Sequence, residues 1–286
     1  MRPAFAKARG SIIRETADGR RDPDADEKDR AEVGWEQALL QFWGEQRRRI
    51  KERLERGIPQ DRKADPDVGD WLDDAFWDEE YALMLAFALP LLKEAATQAA
   101  QTAAAYLEAE FGIAFDWTLA SSAAVDWAAV HAGELITGIN GTTQQAVARS
   151  VSSWLDTPGS TMGDLFSEIE SLYAFGRSRA EMVAVTETTA AYGAGRQASY
   201  DQAGIPPQAY WEPAHPRCRC WTAANLLPSD EWVVVWQTNK DELVCKQPLD
   251  TPWGVAGGCQ DLQSRVVSEG PYLGLKLSEA RAEARG

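Results

Sequence analysis

Histidine is nearly absent from this chain, which has only His131 and His215 among 286 residues. A Ser-His or Cys-His nucleophile would have to use one of these two, and neither has a visible catalytic partner in the sequence. The zinc-protease pattern His-Glu-x-x-His is missing, and so are the phosphate-binding patterns Gly-x-x-x-x-Gly-Lys-Ser/Thr and Gly-x-Gly-x-x-Gly. We therefore predict a protein that is not an enzyme, and we predict a packed or surface role for His131.

Basic residues are also few relative to acidic ones. The chain has 29 Lys and Arg against 44 Asp and Glu, which gives a net charge of -15 and a pI near 4.7. An acidic molecule repels phosphate backbones, so we expect weak or no direct nucleic-acid binding and a protein partner instead. The densest basic cluster, over 47–53, is interspersed with glutamates, which favours a solvated helix face over a DNA contact.

Long apolar runs are missing as well. The longest, over 81–92, is too short to cross a bilayer, so we predict a buried helix there and no membrane association. No apolar segment typical of a secretory signal follows Met1, and we expect the host cytoplasm as the place of synthesis.

Composition divides the chain into four predicted parts. Residues 1–30 are charged with few large apolar side chains, which indicates a flexible arm. Residues 31–206 have helical spacing and many alanines, which indicates a helical body. Residues 207–274 are rich in Pro, Gly, Trp and Cys and include a predicted strand at 232–236, and 275–286 form a tail. The predicted fold is mainly α, a helical body with a small C-terminal α+β, cysteine-containing unit.

Capping and turn residues predict the helix boundaries inside the body. Gly138 and Gly141 are predicted to separate two helices, and Thr161 with Asp164 has the spacing of a capping box. The predicted helices cover 33–56, 78–111 with a kink at Pro90, 121–139, 143–155, a short segment after Thr161, and 177–203.

Every cysteine of the chain lies in the predicted C-terminal unit. Cys218, Cys220, Cys245 and Cys259 could supply four thiolates to a structural zinc ion, and His215 could replace one of them. A small unit with little core gains folding energy from such a metal. Three alternatives stay open in order of preference: structural zinc, reduced structural thiols, and disulfides, which the reducing cytoplasm disfavours.

Two sequence elements carry a resemblance to a known family. The first is the helical segment Arg-Ala-Glu-Met-Val-Ala-Val-Thr-Glu over 179–187, and the second is His-Pro-Arg-Cys-Arg-Cys over 215–220. Together they resemble the phage head-morphogenesis family, the Mu-type minor head proteins, over about 132–261. The chain departs from that family at Val185, where the family usually has Arg. It also departs in the order of its cysteine elements, because the segment ending at Cys245 follows the His-Pro string, and Pro248 stands where the family has a cysteine.

The resemblance implies a minor head protein of a tailed bacteriophage, found in the virion and, during assembly, in the host cytoplasm. Its implied partners are the portal protein and the major capsid or scaffold protein, and its implied role is non-catalytic, in head assembly or in DNA packaging and ejection. Two alternatives are a zinc-dependent or toxin-like enzyme that carries a head-protein domain, and a DNA-associated ejection protein.

Overall fold

The computed structural model describes residues 22–58, 68–205, 221–226 and 232–237. Over these residues the protein is mainly helical, which confirms the predicted class. The helices are α1 (Ala25–Gly57), α2 (Asp74–Phe111), α3 (Trp117–Asp156), α4 (Met162–Ser171) and α5 (Arg177–Gln202), with 3-10 turns at Val68–Asp70 and Tyr173–Phe175. The strands β1 (Trp221–Leu226) and β2 (Trp232–Gln237) pair antiparallel, and β2 confirms the strand predicted at 232–236.

The described residues form two compact units, each built from segments that are distant in sequence. Unit 1 contains 22–32, 95–125 and 185–205 together with β1 and β2, and unit 2 contains the described residues of 33–94 and 126–184. The four long helices α1, α2, α3 and α5 each contribute residues to both units.

Helix α1 begins earlier than the sequence suggested. It starts at Ala25, so the end of the segment predicted to be an arm over 1–30 is helical, and Asp22, Asp24 and Lys28 are buried. Charged composition indicated exposure to solvent, but these charges are paired with each other and with a distant arginine inside unit 1. Residues 1–21 lie outside the described part of the chain.

Helix α3 runs without interruption through Gly138 and Gly141, so the helix break predicted there is wrong. The hydroxyl groups of Thr142 and Thr143 do not cap a new helix. They donate to the carbonyl oxygens of Gly138 and Ile139, four residues earlier, at 2.8 and 3.0 Å. Each helical glycine costs about 1 kcal/mol relative to alanine, a cost that tertiary packing offsets where buried side chains continue on both sides of the glycines.

The local signals at α4 are confirmed. Thr161 and Asp164 form a reciprocal capping box, in which the Thr161 hydroxyl accepts from the Asp164 N–H and an Asp164 carboxylate oxygen accepts from the Thr161 N–H at 2.7 Å. The preceding turn contains Gly159 at a φ of 80°, a left-handed conformation that favours glycine. Short-range chemistry therefore decides where α4 begins.

The end of α5 combines a glycine cap with a small apolar cluster in unit 1. Gly204 has a φ of 68°, and the N–H of Ile205 donates to the Tyr200 carbonyl at 2.9 Å, as in a Schellman motif. Ile205 and Tyr200 are buried with Leu107 of α2, and Phe115 packs against this cluster. The predicted closure of this helix at Gly204 is confirmed.

Close packing in unit 1 explains the alanine-rich sequence of α2. A Cβ added at Gly195 of α5 would lie 2.1 Å from the Ala96 carbonyl oxygen and 2.9 Å from the Ala99 Cβ. Beside it the Ser199 hydroxyl donates to the Ala100 carbonyl at 2.8 Å. The backbones of α2 and α5 can come this close only because small residues face each other.

Candidate functional site

The five residues of the predicted zinc site, His215, Cys218, Cys220, Cys245 and Cys259, lie outside the described residues. The strands between them are described, however. Trp221, directly after Cys220, pairs with Gln237 at the end of β2, so the chain enters β1 and leaves β2 at the same end of the sheet. Among the described residues, no group of three or more His, Cys, Asp or Glu could hold a metal ion. Structural zinc stays a prediction.

His131 has a packing role. It lies on α3, partly buried, and its ring stacks on Trp127 with centroids 4.6 Å apart and planes 14° apart. The prediction of a packed or surface histidine is confirmed.

Arg179, the first residue of the segment that carries the family resemblance, is buried in unit 2. Its side chain is 4% exposed and donates to the Thr143 hydroxyl at 2.9 Å and to the carbonyl oxygens of Ala174 and Ile139 at 2.7 and 2.9 Å. Its guanidinium carbon lies 5.0 Å from the centre of the Trp43 ring. These contacts connect α5 to α1, α3 and the turn before α5, so Arg179 positions helices within the unit.

Burial has an electrostatic consequence for Arg179. It lowers the pKa of the guanidinium from 12.5 to about 10, because removal from water disfavours the charged form. The group stays protonated at neutral pH and is stabilised there by carbonyl oxygens and an aromatic face. Glu187, the last residue of the family segment, is 7% exposed in unit 1.

A second buried polar cluster, the ion quartet, consists of Asp22, Asp24, Lys28 and Arg196 in unit 1. Lys28 Nζ donates to Asp22 Oδ2 at 2.6 Å, and Arg196 Nε donates to Asp24 Oδ2 at 2.8 Å. Arg196 also donates to Asp22 Oδ1. All four side chains are at most 2% exposed. Two carboxylates and two cations balance, so the quartet is buried without net charge.

The quartet shifts the pKa of its own members and of nearby tyrosines. Burial alone would raise the pKa of Asp22, but Arg196 and Lys28 hold it well below its usual range. Burial alone would lower the pKa of Arg196, but the two aspartates raise it above its usual value. Burial raises the pKa of Tyr200 to about 12 and also raises that of Tyr192. Asp22 and Arg196 are therefore charged at neutral pH.

Sequence reasoning did not find the quartet, although one local signal for its acidic half exists. Asp22 accepts from the Asp24 N–H at 3.2 Å, and Asp24 directly precedes the first residue of α1. Aspartate at that position, followed by acidic residues in the first turn, is typical of a helix start. The pairing with Arg196 has no local signal, because 172 residues separate Asp24 from Arg196.

The basic cluster of α1 is engaged by partners within unit 2. Arg49 makes a two-pronged contact with Glu80, with Nε and Nη2 at 2.5 and 2.8 Å from its two carboxylate oxygens. Lys51 contacts Glu170 at 2.5 Å. The remaining members also have acceptors: Arg47 donates to the Glu170 carbonyl, Arg48 to Glu45 and Glu52, and Arg53 to the Trp71 carbonyl and Asp73. The cluster is a network of ion pairs in which Arg48 and Arg53 are exposed, whereas Arg49 and Lys51 are partly buried against Glu80 and Glu170. The predicted solvated face is therefore present only in part.

Unit 2 also contains a shallow cavity of about 360 Å³ near the start of α2. Leu72 and Trp77 supply apolar walls, and Asp73 and Asp74 supply carboxylates. Asp73 is already occupied, since it accepts from the Phe76 N–H at 2.9 Å and thereby caps the helix. The cavity contains none of the residues predicted to form a site.

Comparisons with known proteins add no relative: no family model, no curated protein and no solved structure matches the chain. Among the described residues, no helix combines the length and the apolar character needed to cross a membrane.

Proposed function

We propose that this chain is a minor head protein of a tailed bacteriophage, a portal- or capsid-associated component that acts without catalysis in head assembly or in DNA packaging and ejection. The observation that carries the proposal is the order of two motifs. The segment 179–187 lies on α5, which ends at Gln202, and the string His-Pro-Arg-Cys-Arg-Cys over 215–220 follows it directly before β1.

The environment of the first motif supports a structural role. Arg179 is buried and its donors contact a hydroxyl and two carbonyl oxygens, and Glu187 is buried as well. A charged residue placed in this way holds helices together, whereas a group that acts on a substrate must reach it. The resemblance thus coincides with residues that build the body.

Charge supports a protein partner. The molecule has a net charge of -15, and the basic residues of α1 that could have formed a DNA-binding face contact acceptors of their own unit. Nucleic acid would have to displace those contacts and overcome repulsion from the remaining acids. A portal or capsid surface with basic residues is the more favourable partner.

The proposal includes a small cysteine-containing α+β unit around β1 and β2, in which Cys218, Cys220, Cys245 and Cys259, with His215 as the substitute, hold a structural zinc ion. Thiolates and imidazole are the donors that zinc prefers. The closeness of the two strand ends from which the cysteine segments continue supports a shared site. A zinc ion would cross-link these segments and so stabilise a binding surface.

Quantitative mass spectrometry of particles tests the function. Immature and mature particles of the virus that encodes the chain are purified, and this chain and the portal protein are measured with isotope-labelled reference peptides. We expect a low, fixed ratio of this chain to portal. The double variant Cys218→Ser/Cys220→Ser should lower the ratio, and Gly138→Ala, a change in open space on α3, should leave it unchanged.

Absence from both particle types, with the protein abundant in the same lysate, would refute the head-protein proposal. A normal ratio of the cysteine variant to portal in particles would be consistent with the head-protein role. It would refute the part of the proposal that places the binding surface on the cysteine-containing unit.

A further inference from the structure

Polar side chains lie in the interior of unit 2 where α1 meets α3. Trp43 and Gln46 of α1 are 0% exposed, and Asn140 of α3 is 6% exposed. Gln46 Nε2 donates to Asn140 Oδ1 at 3.2 Å, so the two amide groups connect the helices directly. We call Trp43, Gln46 and Asn140 the amide cluster.

Arg179 of α5 contacts both helices of the amide cluster. Its guanidinium carbon lies 5.0 Å from the centre of the Trp43 ring, and its Nη2 donates at 2.9 Å to the carbonyl oxygen of Ile139, the residue before Asn140. Trp43 and Gln46 are three positions apart on α1, a spacing that places two side chains on one helix face with Cβ atoms about 5–6 Å apart. The cluster is therefore one continuous interior site of unit 2.

Each side chain of the amide cluster has one polar atom left over. Within the described part of the chain, Trp43 Nε1, Gln46 Oε1 and Asn140 Nδ2 are buried without a hydrogen-bond partner. Buried polar atoms of native proteins are nearly always hydrogen-bonded, either to protein or to ordered water. Three such atoms in one cluster indicate a small polar ligand in the interior.

The number of donors and acceptors identifies that ligand. The indole group only donates, and each amide has a donor and an acceptor, so the single bond between the two amides leaves one of each. Turning both amides round leaves the same count, because Asn140 then donates to Gln46. Water accepts from two donors and donates to the remaining oxygen, within the two to four bonds typical of buried water. An anion only accepts, and it would repel the Gln46 oxygen.

The bonded pair of amides limits the size of the site. The nitrogen and oxygen of one amide group are about 2.2 Å apart. Gln46 Oε1 and Asn140 Nδ2 are therefore at most about 8 Å apart. One water molecule connects two atoms that are up to about 6 Å apart, and two water molecules connect atoms at the longest separation.

We infer that unit 2 binds one or two structural water molecules at the amide cluster, hydrogen-bonded to Trp43 Nε1, Gln46 Oε1 and Asn140 Nδ2. The site also lies beside the buried charge of Arg179, whose hydrogen bonds go to a hydroxyl group and two carbonyl oxygens. A water dipole there replaces part of the hydration that the guanidinium lost on burial. This inference does not depend on the proposed phage function.

Nuclear magnetic resonance of the full-length protein, deuterated and labelled with nitrogen-15, tests for the water directly. We expect Overhauser cross-peaks between water and the Trp43 indole proton that change sign in the rotating-frame spectrum, which distinguishes dipolar contact from proton exchange. Trp43→Phe assigns the indole resonance. Trp154 is the internal control, because its indole donates to the Thr161 carbonyl at 2.6 Å, and it should give no such cross-peak.

A pair of matched variants tests which side chains hold the water. Gln46→Leu/Asn140→Leu removes both buried amides and should lose the Trp43 cross-peak. Gln41→Leu/Gln145→Leu replaces two exposed amides on the same two helices and should keep it. Oxygen-17 relaxation dispersion should show about one or two fewer long-lived water molecules in the first variant and the parent number in the second.

Three outcomes would overturn the inference. A parent spectrum without the Trp43 cross-peak would mean that the cluster is dry, and this result needs no variant to fold. A cross-peak of parent intensity in folded Gln46→Leu/Asn140→Leu would mean that other groups hold the water. A saturable shift of the Trp43 indole resonance on titration with sodium chloride, without a water cross-peak, would identify an anion site instead.

Discussion

Removing Arg196 should unfold the protein at much lower denaturant concentration, because its two aspartate partners would remain buried. Arg196→Met keeps an unbranched side chain without the charge, and among the described residues Asp22 and Asp24, both at most 1% exposed, then have only Lys28 as a cation. Breaking a buried ion pair by removal of one partner costs about 3–5 kcal/mol. With a urea m-value of about 2–3 kcal/mol/M, the unfolding midpoint should fall by about 1–2.5 M.

The pH dependence of this loss has a definite sign. The pKa of Asp22 is depressed in the folded protein, so its contribution to stability is present above its unfolded pKa of about 3.9 and is lost as the pH falls below it. In Arg196→Met the buried aspartates have one cation fewer, which favours their protonated forms. Lowering the pH should therefore cost the variant less stability than it costs the parent. The difference in stability between parent and variant should therefore be largest near pH 7 and should shrink towards pH 3.

Urea titrations monitored by circular dichroism at 222 nm, at pH 7 and pH 3, provide the assay. Arg48→Met is the control, since Arg48 is exposed and pairs with two exposed glutamates on α1, and its midpoint should match the parent. Adding Asp22→Asn and Asp24→Asn to Arg196→Met should recover part of the stability. A loss below about 1 kcal/mol at pH 7, or an equal loss at both pH values, would refute the reasoning.

Three further predictions concern packing, capping and metal. Gly195→Ala should destabilise the protein by about 1–3 kcal/mol, because its Cβ would meet the Ala96 carbonyl oxygen. Gly138→Ala, with open space around it, should instead stabilise the protein by about 0.5–1 kcal/mol. Thermal melts compare the two variants, and equal changes in stability would contradict the close contact at Gly195. Thr161→Ala should cost about 1 kcal/mol in the same assay through loss of the cap, and no change would mean that the box is not formed in solution. Protein purified under reducing conditions should contain about one zinc ion per chain by plasma mass spectrometry, and the variant Cys220→Ser should contain much less. Parent protein without metal would favour reduced thiols or disulfides.

Local sequence chemistry predicted the ends of elements best. The capping box at Thr161 and the glycine closure at Gly204 lie where short-range signals placed them, and β2 covers the strand predicted at 232–236. These features depend on a few neighbouring residues, because a cap or a left-handed turn is satisfied within about one turn of backbone. The predicted zinc ligands remain a prediction, since they lie outside the described residues.

Predictions failed where packing outweighed a local preference. Gly138 and Gly141 are typical of a helix end, yet α3 continues through them. The cost of two helical glycines is about 2 kcal/mol, and burial of the apolar stripe on both sides exceeds it, since each large buried side chain contributes about 1.5–3 kcal/mol.

The amino-acid sequence by itself determined the helical class, the caps and the excess of acidic charge, since each depends on composition or on residues that are neighbours along the chain. Only the tertiary structure decided which charges are buried. Asp24 and Arg196 are 172 positions apart, and in an unfolded chain both would be hydrated. They are stable in the interior because the fold places two carboxylates and two cations within hydrogen-bonding distance, where their attraction compensates for the water that each has lost.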